Sequence, residues 1–351
     1  HAQEQRKENL VSQSLRYSAS LNHLADIQKE MGNYNEAEIN IKKAVQVLES
    51  SMGSTTMPVA IAKNNEAMLY QTVGRFDLAD ELMEEVLAIS NQLQGEKSNN
   101  HQKFLSNQAL LYREMGRYDE AISIYKNLIK IKERRLGTKH PDYAHLLNSL
   151  ASLYLITGEE DEVEPLLKES IKIYENKFGK EHKLYASAIS DLGNYYRYLE
   201  RYDNAKPLLN AALKIKENVL GQTHPDYVQS QEDLAILSWK MQEYDDAASL
   251  FEEALAKTLT FINSYFPPMS EAEKTKYWDQ LRPRFESFYS FAFDPSNPDK
   301  ALINEAYNYH IATIGLLLSS SNKIKKKILS GDNQELIEEY LMWLDQKETL
   351  A

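Results

Sequence analysis

The sequence contains no cysteine, which removes disulfides, thiolate metal sites and a cysteine nucleophile from these residues and leaves the redox compartment open. It has no run of about eighteen apolar residues; the best candidate, Ile311 to Leu318, is far too short to span a bilayer, so no membrane span is expected in this segment. Positive charge is short as well, with 40 Lys and Arg against 52 Asp and Glu, a formal net charge of −12. That balance argues against nucleic acid as a partner, because non-specific binding needs clustered cations to displace counterions. The one local exception, Lys323-Ile324-Lys325-Lys326-Lys327, reads as a solvated helix face. No initiator Met precedes His1-Ala2-Gln3, as expected of a processed chain. A cytoplasmic location is the working expectation, with export after removal of an upstream signal as the alternative.

The signatures of catalysis are missing too. There is no Walker-type glycine loop, no dinucleotide fingerprint and no Gly-x-Ser-x-Gly elbow. Carboxylates are many, but no pair stands out as an acid and base facing each other across a pocket. The chain is therefore expected not to be an enzyme, and no cofactor or metal is expected. What remains is a composition, 42% hydrophobic and 26% charged, that suits a soluble, folded chain.

The organising feature is a repeat. Met31-Gly32-Asn33-Tyr34-Asn35-Glu36-Ala37 returns as Val73-Gly74-Arg75-Phe76-Asp77-Leu78-Ala79 and as Met115-Gly116-Arg117-Tyr118-Asp119-Glu120-Ala121. Echoes follow at Thr157-Gly158, Leu199-Glu200-Arg201-Tyr202 and Met241-Gln242-Glu243-Tyr244, so positions 32, 74, 116, 158, 200 and 242 are spaced 42 residues apart. Six copies without an insertion or deletion define a repeat array that grows by addition.

Each copy reads as two helices. In the fourth, helix A runs from about Tyr143 to Ile156, with Leu146, Leu147, Leu150, Ala151, Leu153 and Tyr154 at the three-and-four spacing of one buried stripe. Thr157-Gly158 stops it, and helix B runs from about Glu160 to Phe178. Small residues recur at Ala25, Ala67, Ala109, Ala151, Gly193 and Ala235, and again at Ala37, Ala79, Ala121, Val163, Ala205 and Ala247. An aromatic column holds Tyr70, Tyr112, Tyr154 and Tyr196, with Gln28 and Ser238 at the two ends. Pro165 and Pro207 share one column inside helix B and read as features of shape.

The order Leu, Ala, Tyr, Gly-x-Tyr, Ala resembles the tetratricopeptide repeat. The loops Leu136-Gly137-Thr138-Lys139-His140-Pro141-Asp142-Tyr143 and Leu220-Gly221-Gln222-Thr223-His224-Pro225-Asp226-Tyr227 are similar to those of the 42-residue repeats of kinesin light chains and many bacterial proteins. The resemblance implies an all-α, right-handed superhelical solenoid of six helix-turn-helix tetratricopeptide repeats over residues 1–258, followed by a C-terminal helical connector over 259–351.

In that connector, helix 6B is expected to reach Tyr265, where Phe266-Pro267-Pro268 ends it. Ser270-Glu271-Ala272-Glu273 reads as a capping box that opens an aromatic helix to about Phe293. After a turn at Asp294–Pro298 a long helix is expected from about Asp299 to Leu329, then a break at Ser330-Gly331-Asp332 and a last helix through Leu350. Arg282-Pro283-Arg284-Phe285, Ala306-Tyr307-Asn308, Gly315 to Ser320, Ile328 to Asp332 and Tyr340 to Trp343 resemble the connector of bacterial CHAT proteins, in which repeats precede a caspase-like peptidase domain. The catalytic His and Cys of such a domain have no counterpart in these residues.

Three histidines, His140, His182 and His224, also recur at the period. Adjacent helices pack about 8–10 Å apart whereas metal ligands sit at about 2 Å, so neighbouring histidines could not share an ion and are expected to be cap residues.

The resemblance further implies that the A helices line a groove for a protein or peptide ligand. The column Asn22, Asn64, Ser106, Asn148, Ser190 and Glu232 would offer amides and hydroxyls to an extended backbone. A turn later come Lys29, Gln71, Arg113, Leu155, Arg197 and Trp239, followed by Tyr198 and Lys240. Arg113 and Arg197, two repeats apart, would hold carboxylates of an acidic peptide. The sequence does not set the oligomeric state.

Overall fold

A turn needing a left-handed residue recurs in the second to sixth repeats, and it cuts the chain into helix pairs. The computed structural model describes residues 2–30, 34–266 and 271–314, with isolated positions 334, 337, 338, 341 and 342. The first hinge Met31-Gly32-Asn33, the prolines 267–268, Ser270 of the capping box, the basic run 323–327 and the break at 330–332 lie outside the described residues. So do most of the last two expected helices and most residues of the corresponding connector blocks.

The helices alternate as A and B members. They are α1 (Ala2–Glu30), α2 (Tyr34–Met52), α3 (Met57–Thr72), α4 (Phe76–Gln94), α5 (Asn99–Glu114) and α6 (Tyr118–Leu136). Then come α7 (Pro141–Thr157), α8 (Glu160–Phe178), α9 (Lys183–Tyr198), α10 (Tyr202–Leu220), α11 (Pro225–Lys240) and α12 (Tyr244–Tyr265). The C-terminal segment adds α13 (Glu271–Ala292) and α14 (301–314). Among the described residues there is no strand, and no helix is long and apolar enough to cross a membrane.

The A–B turns show why the period carries a glycine. Gly74, Gly116 and Gly158 have φ of 74°, 75° and 83°, a region open to a residue without a Cβ. In the last two repeats Glu200 and Gln242 take the same conformation, at φ 57° and 64°, although a side chain is strained there. The hydrogen bond closing the turn survives the substitution: Arg75 N to Tyr70 O is 2.9 Å and Arg201 N to Tyr196 O is 2.8 Å.

The small columns sit where helices cross closest. Ala25, Ala109 and Ala235 are fully buried, as are Ala37, Ala79, Ala121, Ala205 and Ala247. At Gly193 a Cβ would come within 2.8 Å of Leu209 Cδ2, so a larger residue in this copy would require the Leu209 side chain to shift. Pro165 and Pro207 lie inside unbroken α8 and α10, and α13 carries Pro283 in the same way.

Two compact units divide the chain, His1–Gln222 and Thr223–Ala351. The first holds five helix pairs, each helix packed on the next. In the second, the sixth pair is packed with the C-terminal helices. Phe251 of α12 and Phe285, Phe288 and Phe291 of α13 are fully buried in one cluster with Leu302 and Ala306 of α14. Phe251 and Phe291 stack with centroids 5.2 Å apart. Fully burying each ring contributes about 2–3 kcal/mol, so this aromatic core dominates the unit.

Candidate functional site

The A helices of the first unit bury one stripe and leave another open. Ala67, Leu69 and Tyr70 of α3 go inward, while Ile61 and Thr72 are exposed. The same alternation exposes Lys103 and Glu114 on α5, His145, Ser152 and Ile156 on α7, and Asp191 and Tyr198 on α9. One helical residue rotates the side chain by about 100°. The asparagine column therefore lies at the margin of the open stripe, and positions one residue later (Asn65, Asn107, Ser149, Asp191) lie nearer its centre.

The column links consecutive repeats. Asn64 is buried, and its Oδ1 accepts a 2.8 Å hydrogen bond from Asn107 Nδ2 on the next A helix. Asn148 Nδ2 donates to Asp191 Oδ2 at 3.3 Å in the same way, across α7 and α9. Asn22 and Asn148 are half-buried, and each Oδ1 is a buried acceptor without a hydrogen-bond partner. Ser190 is buried and accepts from Lys216 Nζ at 3.3 Å, and half-buried Ser106 bonds its own helix at Gln102 O, 3.0 Å.

In the second unit the same column ends in a buried ion pair. Glu232 Oε2 takes Arg284 Nε at 3.0 Å, with side chains 7% and 11% exposed, so neither charge keeps its water. The guanidinium also donates to Thr258 Oγ1 at 2.9 Å and Gln229 Oε1 at 3.2 Å, tying α13 to α11 and α12 through three acceptors. Trp239 is half-buried, its Nε1 donating to Asp294 and its ring edge-on to Phe291 at 5.9 Å.

The remaining named residues are more available. The half-buried Arg113 side chain makes no hydrogen bond or ion pair among the described residues. Arg197 reaches only Asn194 Oδ1 on its own helix, at 3.3 and 3.1 Å. Tyr198 is 55% exposed with its hydroxyl on Glu160 Oε1 at 3.0 Å, and Ile156 is 50% exposed. Two guanidiniums without carboxylates thus lie on α5 and α9, with Leu155 and Ile156 of α7 on the intervening A helix. Near Ser106 a cavity of about 300 Å³ opens among Leu146, Tyr174 and Leu184, beside the Lys132–Asp142 ion pair of 3.1 Å.

A cluster that single residues in the sequence do not reveal holds successive repeats together. Tyr70 Oη donates to Glu38 Oε1 at 3.1 Å while Arg75 Nη1 pairs with Glu38 Oε2 at 3.0 Å. Tyr196 and Arg201 use Glu164 alike, at 2.8 and 3.6 Å. Arg117 pairs with Asp80 at 2.7 Å and covers the Tyr112 ring at 3.9 Å. Lys42 and Lys168, one turn along, hold the Glu38 and Glu164 carboxyls below the usual carboxylate range, and the tyrosine hydroxyls add to this against the opposing effect of burial. At the fourth copy Ile122 and Glu159 replace acid and arginine, and Lys126 covers Tyr154 at 5.3 Å instead. The signal lay in columns compared across repeats, as acid and arginine 37 residues apart.

The three periodic histidines are caps. Nδ1 of His140, His182 and His224 accepts the backbone N–H of Asp142, Leu184 and Asp226 at 3.1, 3.2 and 3.1 Å. Among the described residues no group of three His, Asp or Glu is placed to hold a metal ion.

The sequence matches the family model of the tetratricopeptide repeat over residues 16–92, 102–176 and 184–257. No curated protein matches it. Among solved structures it is similar to BtubC (BKLC) from P. vanneervenii, with TM-score 0.53 and 21% identity over 74% of this chain and 93% of that one. A Pyrococcus horikoshii STAND protein with a tetratricopeptide repeat sensor gives TM-score 0.56 at 11% identity, over 93% of this chain and 45% of that one. A putative kinesin light chain from Podosopora anserina gives 0.50 at 23% identity, over 57% and 95%. At these identities the likeness is one of fold.

Proposed function

The chain belongs to the tetratricopeptide repeat family, a non-catalytic scaffold typical of protein–protein interaction, and from that premise we propose that its A-helix face binds an acidic segment of a partner protein. The supporting observation is the pair Arg113 and Arg197, which lack carboxylates among the described residues, with exposed Ile156 on the helix between them and Tyr198 beside Arg197. A guanidinium without a carboxylate is a ready bidentate donor, and exposed apolar side chains beside it supply area for the ligand's own apolar residues. In this reading Arg113, Arg197 and Tyr198 make the contacts, Ser106, Asn22 and Asn148 border them, and Asn64 and Ser190 hold the surface in shape. Trp239 holds the equivalent column position in the second unit.

The repeats, taken as residues 1–258, would be the sensing part and residues 259–351 the connector of a CHAT-type bacterial peptidase. Ligand binding would change how repeats stack, and the connector would pass the change to a following domain. The support is the ordered connector blocks from Arg282 to Trp343. The alternative is a free-standing adaptor of the kinesin-light-chain kind with no linked enzyme. Reading the gene past Ala351 separates them: a following domain with a His and Cys pair favours the first, and a stop near that point favours the second.

The binding test is a pull-down with Arg113→Ala, Arg197→Ala and Asn148→Ala beside the unaltered protein. Loss of the partner in the arginine variants supports the A-helix face. Unchanged recovery in all three would move binding elsewhere.

A further inference from the structure

The B helices of the first unit carry a feature that the A-helix reading does not use. A cavity of about 440 Å³ is lined by Thr138, Lys139, Lys168, Glu169, Lys172 and Asn176, with Ile173 as its apolar base. Of the nearby carboxylates, Glu164 holds Lys168 at 2.6 Å, and Glu169 is itself part of the lining. Lys139 and Lys172 have no carboxylate within ion-pair distance among the described residues.

Lys172 also belongs to a row. The equivalent positions in successive repeats are Gln46, Ala88, Lys130, Lys172 and Lys214, so the lysines occupy three adjacent repeats and no others in the unit. All three are exposed, and none has an ion pair among the described residues. The row is local in a chain of net charge −12, and Glu133, Glu175 and Glu217 follow it three residues on in the same repeats.

We propose that the B-helix face of α6, α8 and α10 is a second binding surface, for an acidic segment of a partner protein. One carboxylate sits in the cavity between Lys139 and Lys172, with the Thr138 hydroxyl and Asn176 amide as further donors, and flanking carboxylates run toward Lys130 and Lys214. A protein segment fits better than a nucleic acid because the row contains no aromatic ring on which bases would stack, and the chain as a whole repels a long polyanion.

The test is fluorescence anisotropy of a labelled eight-residue polyglutamate peptide at low salt, with the whole chain. Saturable binding that weakens with salt is expected, and Lys139→Glu/Lys172→Glu should weaken it about ten-fold or more. Lys139→Ala/Lys172→Ala should weaken it less, and the losses at the lysines should persist in an Arg113→Ala/Arg197→Ala background, where the A-helix guanidiniums are absent. Equal binding by the Lys139→Glu/Lys172→Glu variant overturns the proposal, as does an equal loss in a Lys43→Glu/Lys97→Glu control elsewhere on the surface. Tighter binding of a single-stranded oligonucleotide of equal charge through the same lysines would also overturn it, assigning the face to nucleic acid.

Discussion

Asn107 Nδ2 lies 2.8 Å from Asn64 Oδ1, joining the A helix of the third repeat to that of the second. The bond occupies a column that family resemblance would assign to a ligand, and Asn148–Asp191 repeats the arrangement farther along, while Glu232 instead holds Arg284 of α13. The column therefore sets the spacing of A helices, and with it the spacing of whatever the neighbouring open stripe presents.

Asn64→Ala should then act on stability before it acts on binding. Removing one member of a buried pair leaves the Asn107 amide short of an acceptor, at about 1–2 kcal/mol. Denaturant unfolding followed by far-ultraviolet circular dichroism checks this; a variant as stable as the parent would show that the bond contributes nothing net.

Arg284→Ala should be costlier. It leaves the Glu232 carboxylate, 6% exposed, without its cation, and loss of a buried partner costs about 3 kcal/mol. All three tryptophans lie in the second unit, so their fluorescence reports this unfolding separately. Arg284→Lys should not restore stability, because one ammonium cannot reproduce the fork onto Glu232, Thr258 and Gln229.

Glu200→Gly should stabilise the first unit by about 0.5–1 kcal/mol, by removing a side chain held at φ 57°. A rise in thermal midpoint is expected. Glu200 and Gln242 stand where the earlier repeats carry glycine; the structure keeps the turn and strains the residue.

Acid should act with opposite signs through His101 of the first unit and Glu305 of the second. Burial lowers the His101 pKa from 6.5, with Ser90 Oγ at 2.7 Å from its ring. The unfolded chain therefore protonates first, and stability present above 6.5 is lost as pH falls toward the lower folded value. Glu38 and Glu164, held low by their lysines, add losses of the same sign below 4.5. Glu305 is pushed up by burial and then by Glu252, so the second unit gains stability as pH falls through its folded value toward 4.5. Tryptophan fluorescence should show that gain, and Glu305→Gln should flatten it.

Much of this was legible because repeats state each rule six times. The period, the two helices per repeat, the small columns and the histidine caps follow from spacing alone. Which of two adjacent polar residues faces outward does not. Asn64 and Asn65 are identical in chemistry and differ only by rotation about the helix, which packing decides. The Tyr70–Glu38–Arg75 cluster escaped for a related reason, since its members lie on two helices and a turn. Arg284 could be read only as part of a resemblance until its three acceptors were seen together.

The most direct test of the central claim is a selection of random twelve-residue peptides displayed against the chain, followed by affinities for the winners. The account predicts peptides rich in Asp and Glu around an apolar residue, each weakened about ten-fold or more by Arg113→Ala/Arg197→Ala as two charge-assisted contacts are lost. Winners without acidic residues, or acidic winners that bind the double variant as tightly as the parent, would contradict it.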